Sequence, residues 1–72
     1  MNLLDFLNKW AGNDTETEQK LKGMLSTFFE RDPRTIRNWV NNTPQYVRWN
    51  LKRLDKEWEQ LGRINYAIFF ED

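Results

Sequence analysis

The 72-residue sequence contains neither cysteine nor histidine. Without cysteine there is no disulfide framework and no thiolate metal site. Without histidine the chain lacks the commonest metal ligand and a general base that works near neutral pH. No glycine-rich phosphate loop is present either. We therefore expect no enzyme, no metal site and no cofactor.

Long hydrophobic runs are missing as well. The first ten residues have no basic leading segment and Asp5 interrupts their apolar run, so we do not expect a signal peptide. No stretch approaches the roughly 20 apolar residues of a membrane-spanning helix. These absences predict a cytoplasmic protein with no membrane partner.

Aromatic residues, by contrast, are abundant: four Trp, five Phe and two Tyr. Apolar residues recur at helical spacing in four segments, which predicts helices over residues 2–11, 14–29, 33–41 and 44–61. Asp14 or Thr15, Asp32 and Thr43 are the expected N-caps, and Pro33 and Pro44 suit a first helical position. The expected fold is therefore all-α: a compact four-helix domain over residues 1–62, followed by an extended segment over residues 63–72.

Two features of the C-terminal half favour a homodimer. The fourth helix carries a heptad-like apolar seam that packs either on the first helices or on a second chain. The segment 63–72 alternates in apolar character, which predicts a strand. A lone strand must pair with a second copy, pair with a partner or lie across the helices, and we favour pairing in a dimer. The predicted dimer contacts are Trp58, Leu61, Ile64, Tyr66, Ile68 and Phe70.

Positive charge is concentrated in the middle of a chain whose net charge is zero. Residues 31–53 contain six basic residues and one acidic residue, a net charge of +5, whereas both flanking segments are acidic. A local positive field attracts a polyanion regardless of the total charge. The charge pattern therefore favours nucleic acid as a partner.

The third predicted helix has the pattern of a helix that reads the DNA major groove. Its apolar residues Ile36, Trp39 and Val40 share one face. The opposite face carries arginine, which can pair with guanine, and asparagine, which can pair with adenine. The predicted base-binding residues on that face are Arg34, Arg37, Asn38 and Asn41.

The stretch FFERDPRTIRNW, residues 28–39, resembles the turn and recognition helix of the phage-repressor-like helix-turn-helix family. The downstream stretch NNTPQYVRWNLKRL resembles that family's next loop and helix, so the likeness covers about half the chain, with the motif over about residues 21–41. It implies buried positions at Leu25, Phe29, Ile36 and Trp39, and a close helix contact at Ser26. It also implies phosphate contacts near Lys22 and Thr35.

Two turn positions depart from the family's pattern. Glu30 stands where the family has glycine, and Arg31 where it has a buried aliphatic residue. Because glutamate tolerates positive φ poorly, we expect a longer or differently shaped turn. Arg31 is expected to point outward to a phosphate. On the fourth helix, Arg48 and Lys52 are further predicted phosphate contacts.

The tryptophans are not expected to act as stacking platforms. Trp39 is predicted to be core, and Trp10, Trp49 and Trp58 to be core or dimer seam, because they are regularly spaced on apolar faces. Such positions do not favour binding of single-stranded nucleic acid.

Two functions from different classes fit this sequence. The first is a small phage- or plasmid-type transcriptional regulator, expected to be a repressor-like homodimer, that binds double-stranded DNA sequence-specifically with helix 33–41 in the major groove. The second is a small phage or mobile-element accessory protein that binds a host protein, and inhibits or adapts it, through its helices and apolar C-terminal arm. The acidic ends and apolar tail favour the second, and the basic middle segment favours the first.

Overall fold

A computed structural model describes residues 1–66 of the chain. Four helices follow one another in the order α1 (Leu3–Trp10), α2 (Thr15–Phe29), α3 (Pro33–Asn41) and α4 (Gln45–Leu61). The predicted all-α, four-helix fold is confirmed, and every predicted helix boundary lies within one residue of the observed one. No helix within residues 1–66 is long and apolar enough to cross a membrane.

Side-chain caps start the first three helices. The Asn2 side chain accepts a hydrogen bond of 2.8 Å from the Asp5 backbone N–H. Of the two candidates for α2, Asp14 is the cap, and it accepts from the Glu16 N–H at 3.1 Å. These bonds satisfy backbone donors that have no partner inside the helix. They explain why the helix starts can be read from local sequence.

Thr43 does not cap α4, and that prediction is wrong. Pro44 occupies the N-cap position, and no side chain accepts a hydrogen bond there. The Thr43 hydroxyl instead donates to the Trp39 carbonyl at 2.5 Å and accepts from the Leu3 backbone N–H at 2.9 Å. Thr43 therefore joins the end of α3 to the start of α1.

Trp58 lies in the centre of a core to which all four helices contribute. Its ring centroid is 5.3 Å from that of Phe6 and 5.3 Å from that of Trp10. Because Trp58 is fully buried in its own chain, it has no surface for a second chain, and its assignment as a dimer contact is wrong. The buried core residues are Leu3, Phe6, Leu7, Leu21, Leu25, Ile36, Trp39, Val47, Leu51, Leu54 and Trp58.

The segment after α4 turns back onto the helices. Gly62 ends α4 with a φ of 74°, a conformation that glycine adopts readily. Ile64 and Tyr66 are half-buried against the core, and the Lys20 ammonium lies 4.2 Å from the centroid of the Tyr66 ring. The predicted strand is not formed over residues 63–66. The rest of that prediction, including the dimer contacts Ile68 and Phe70, lies outside the described residues.

Candidate nucleic-acid interface

A tight turn joins α2 to α3, and Glu30 makes it possible by adopting a left-handed conformation with φ 53° and ψ 48°. The Arg31 N–H donates to the Ser26 carbonyl at 2.9 Å, a bond typical of helices that end at a left-handed residue. The Ser26 hydroxyl also donates to the Arg31 carbonyl. The expectation of a longer or differently shaped turn is therefore wrong, because Glu30 itself adopts the left-handed conformation at the position where the family has glycine.

Two large side chains on the inner face of α3 pack it against the rest of the domain. Ile36 is buried, and the Trp39 ring meets the Phe29 ring of α2 edge-on at a centroid distance of 5.4 Å. Tyr46, at the start of α4, also meets the Trp39 ring edge-on. Contacts from both neighbouring helices thus set the rotation of α3 about its own axis.

The opposite face of α3 is polar and open to solvent. Arg34, Arg37, Asn38 and Asn41 are all exposed and lie at positions i, i+3, i+4 and i+7 of the helix. Their side chains form no hydrogen bond or ion pair within residues 1–66. The Asp32 cap accepts from the backbone N–H of Arg34 at 2.7 Å, not from its guanidinium. The four predicted base-binding side chains therefore share one accessible surface.

A cleft of about 360 Å³ separates the outer edges of α2 and α3. Lys22, Gly23, Pro33 and Arg37 are among its lining residues. A Cβ added at Gly23 would meet no atom within 4 Å, so the glycine is not required by a neighbouring backbone.

The other predicted phosphate contacts differ in their surroundings. Lys22 pairs with Glu18 at 3.4 Å across one turn of α2. Thr35 is half-buried, whereas Arg31 in the turn is exposed. Arg31 thus points outward, as predicted, in place of the buried aliphatic residue of the family.

Helix α4 presents a second cationic surface, which extends the predicted contacts Arg48 and Lys52. Trp49 is 64% exposed on this surface, so its assignment to the core is wrong, whereas the alternative assignment to a dimer seam stays a prediction. We call this surface the α4 basic face, and it comprises the exposed residues Arg48, Trp49, Lys52, Arg53 and Lys56. Lys56 was missed, although helical spacing places it one turn beyond Lys52, and the exposure of Trp49 was missed as well. Four of the five residues line a depression of about 300 Å³.

No protein-family model, no curated protein and no solved structure matches this chain. Within residues 1–66, no group of three or more acidic side chains is placed to hold a metal ion. The likeness to helix-turn-helix repressors stays a prediction that rests on the residues quoted above.

Proposed function

We propose that this chain is a sequence-specific double-stranded DNA-binding protein, a small phage- or plasmid-type transcriptional regulator that acts as a homodimer with α3 in the major groove. The observation that carries the proposal is the exposed face of α3. Two arginines and two asparagines share that face without partners in residues 1–66, on a helix held from below by Ile36 and Trp39.

The chemistry of this face suits base edges. Arginine pairs through two hydrogen bonds with O6 and N7 of guanine, and asparagine pairs in the same way with N6 and N7 of adenine. Each such pair discriminates against the wrong base by about 1–3 kcal/mol. Because α3 is packed on both neighbouring helices, little additional ordering of its backbone is required when it binds.

Cations around α3 supply the sequence-independent part of the interaction. Lys22 lines the cleft between α2 and α3, and Arg31 is exposed in the turn. Thr35 and the α4 residues Arg48 and Lys52 complete the proposed phosphate contacts. Such contacts orient a protein on the duplex without reading its sequence.

Selection of duplexes from a random library, at low salt and with the full chain, tests the proposal. Enriched sites with a common sequence are expected for the wild type. The variant Arg34→Ala/Arg37→Ala should lose them, whereas Arg63→Ala, which removes an exposed arginine outside the motif, should retain them. Equal enrichment by the double variant and the wild type would reject α3 as the reading helix.

The same selection tests the homodimer. A two-fold symmetric dimer should enrich an inverted repeat whose half-sites are about one helical turn of DNA apart. Leu61 is 48% exposed and can therefore still contact a second subunit, whereas the buried Trp58 cannot. Enrichment of an unrepeated site, together with a monomer mass in sedimentation, would contradict the dimer.

Exposed apolar side chains favour the second candidate, an accessory protein that binds a host protein. Leu4 is 44% exposed and Leu61 is 48% exposed. If this function is the correct one, Leu4→Ser/Leu61→Ser should abolish capture of one reproducible host partner, and the wild type should enrich no DNA. Sequence-specific duplex binding without any such partner would reject it.

A further inference from the structure

The α4 basic face has a charge arrangement that the folded chain does not need. Arg48 and Lys52, and likewise Lys52 and Lys56, are cations four residues apart on one helix face. Such like-charged pairs destabilise a helix, whereas a carboxylate at the same spacing would stabilise it. Within residues 1–66 none of the four cations of this face forms an ion pair. The arrangement is therefore suited to an external polyanion.

Trp49 lies in the middle of these cations and narrows the choice of polyanion. Its indole is 64% exposed, and it lines the 300 Å³ depression together with Lys52, Arg53 and Lys56. In a duplex the faces of the bases are covered by their neighbours, so an indole beside the phosphates would gain little contact. An unpaired base offers a free face, and stacking of such bases on aromatic side chains is a main source of affinity in single-strand binding.

We propose that the α4 basic face is a binding site for single-stranded nucleic acid, in which Trp49 stacks on an unpaired base and the surrounding cations hold the adjacent phosphates. From Arg48 to Lys56 the face extends about 12 Å along the helix axis. A stacked strand has one phosphate per roughly 3.4 Å, so the face covers about three or four phosphates. The proposal does not depend on the role proposed for α3.

An anionic membrane surface is the rival polyanion, and the packing of α4 disfavours it. A helix that binds at a membrane surface inserts a broad apolar face between the lipids. The apolar face of α4, formed by Val47, Leu51, Leu54 and Trp58, is buried in the core. The exposed apolar side chains that α4 could insert are Tyr46, Trp49 and Leu61, which is too little apolar surface for stable attachment.

Binding of the full chain to a fluorescein-labelled oligothymidylate tests the proposal directly. The matched probes are a duplex of the same length and vesicles rich in phosphatidylserine. Trp49→Ala should weaken oligothymidylate binding about 5- to 150-fold, and Trp49→Phe should weaken it less because a ring remains. Circular dichroism should show unchanged helix content, since the replaced side chain is exposed.

Salt dependence tests the cations separately. Four neutralised phosphates on a single strand predict that log K falls with log salt concentration with a slope of about −2.8. Lys52→Gln/Lys56→Gln should reduce that slope to about −1.4. Arg63→Ala, which removes an exposed cation outside both proposed sites, is the control and should bind the oligothymidylate like the wild type.

Several outcomes would overturn the inference. These are no oligothymidylate binding by the folded wild type at low salt, unchanged oligothymidylate affinity in Trp49→Ala, duplex binding that Trp49→Ala weakens as much as it weakens oligothymidylate binding, or binding of the vesicles alone. Single-strand binding that survives Arg34→Ala/Arg37→Ala, in a protein that selects no duplex, would support this site while rejecting the function proposed for α3. The two proposals can therefore fail independently.

Discussion

The indole N–H of Trp10 donates a hydrogen bond of 3.0 Å to the carboxylate of Asp55, and this bond joins the end of α1 to the third turn of α4. The same carboxylate lies 2.8 Å from the ammonium group of Lys9. The hydrogen bonds that the Lys9 ammonium donates, to Asp55 first and then to Glu59, raise the pKa of Lys9 above its usual 10.5. The Asp55 carboxylate therefore accepts hydrogen bonds from two side chains of α1, Lys9 and Trp10.

Replacing Asp55 should destabilise the fold. In Asp55→Ala the half-buried indole N–H of Trp10 loses its partner, which should lower the free energy of unfolding by about 1–3 kcal/mol. Urea denaturation followed by circular dichroism measures this loss. Glu59→Ala is the matched control, because the Glu59 carboxylate is exposed and pairs with Lys9 alone among residues 1–66. Equal losses in the two variants would show that the Trp10 hydrogen bond contributes nothing.

The turn between α2 and α3 predicts a stabilising substitution. Glu30 has a φ of 53°, a conformation that costs a residue with a side chain about 1–2 kcal/mol relative to the right-handed one. Glycine avoids most of this cost, although it loses more backbone entropy on folding. Glu30→Gly should therefore raise the free energy of unfolding by about 1 kcal/mol in urea denaturation. Glu30→Ala retains a Cβ and should gain nothing, and an equal gain there would exclude backbone strain as the cause.

The start of each of the first three helices could be predicted because its signal is local. Asp14 and Asp32 accept bonds from backbone donors two residues away, and Pro33 follows its cap directly. The role of Thr43 could not be predicted in the same way, because its hydroxyl accepts a hydrogen bond from the backbone N–H of Leu3, 40 residues away in the chain. Local sequence cannot show such a competing partner.

The assignments of Trp49 and Trp58 show a different limit. The two residues are nine positions apart, and at about 100° per residue that separation places them on opposite sides of a helix. They cannot both face the core, and the structure buries Trp58 and exposes Trp49. The spacing shows that one of the two tryptophans must be exposed. Which of them is buried is determined by the packing of Phe6 and Trp10 on Trp58.

The candidate site on α3 was predictable in the same local sense. Its buried and exposed faces follow from helical spacing, and all four polar residues are where the spacing places them. The turn before it was predicted incorrectly, because a propensity against positive φ omits the hydrogen bonds between Ser26 and Arg31 that hold Glu30 there. What the exposed face binds depends on a partner that neither sequence nor fold contains.

The anchoring of α3 predicts a graded loss of stability. Ile36 is 1% exposed, so Ile36→Val removes one buried methyl group and should cost about 0.5–1.5 kcal/mol. Arg37, one position further along the helix, is exposed, and Arg37→Ala should change stability by no more than about 0.5 kcal/mol. Thermal and urea denaturation of the two variants measure both effects. A larger loss in Arg37→Ala than in Ile36→Val would mean that α3 is rotated from the described orientation.

The cap of α2 predicts a dependence of stability on acid pH. The hydroxyl of Thr17 donates to the Asp14 carboxylate at 2.7 Å and, with backbone donors, lowers the pKa of Asp14 below its usual 3.8. Because the folded-state pKa is the lower one, ionised Asp14 stabilises the fold above about pH 3.8, and this contribution is lost as the pH falls through the folded-state pKa. Asp14→Asn retains a good capping residue that does not titrate. Urea denaturation from pH 7 down to about pH 2 should show the wild type losing its advantage over Asp14→Asn only below about pH 3.8, and a constant difference across that range would exclude Asp14 as the titrating group.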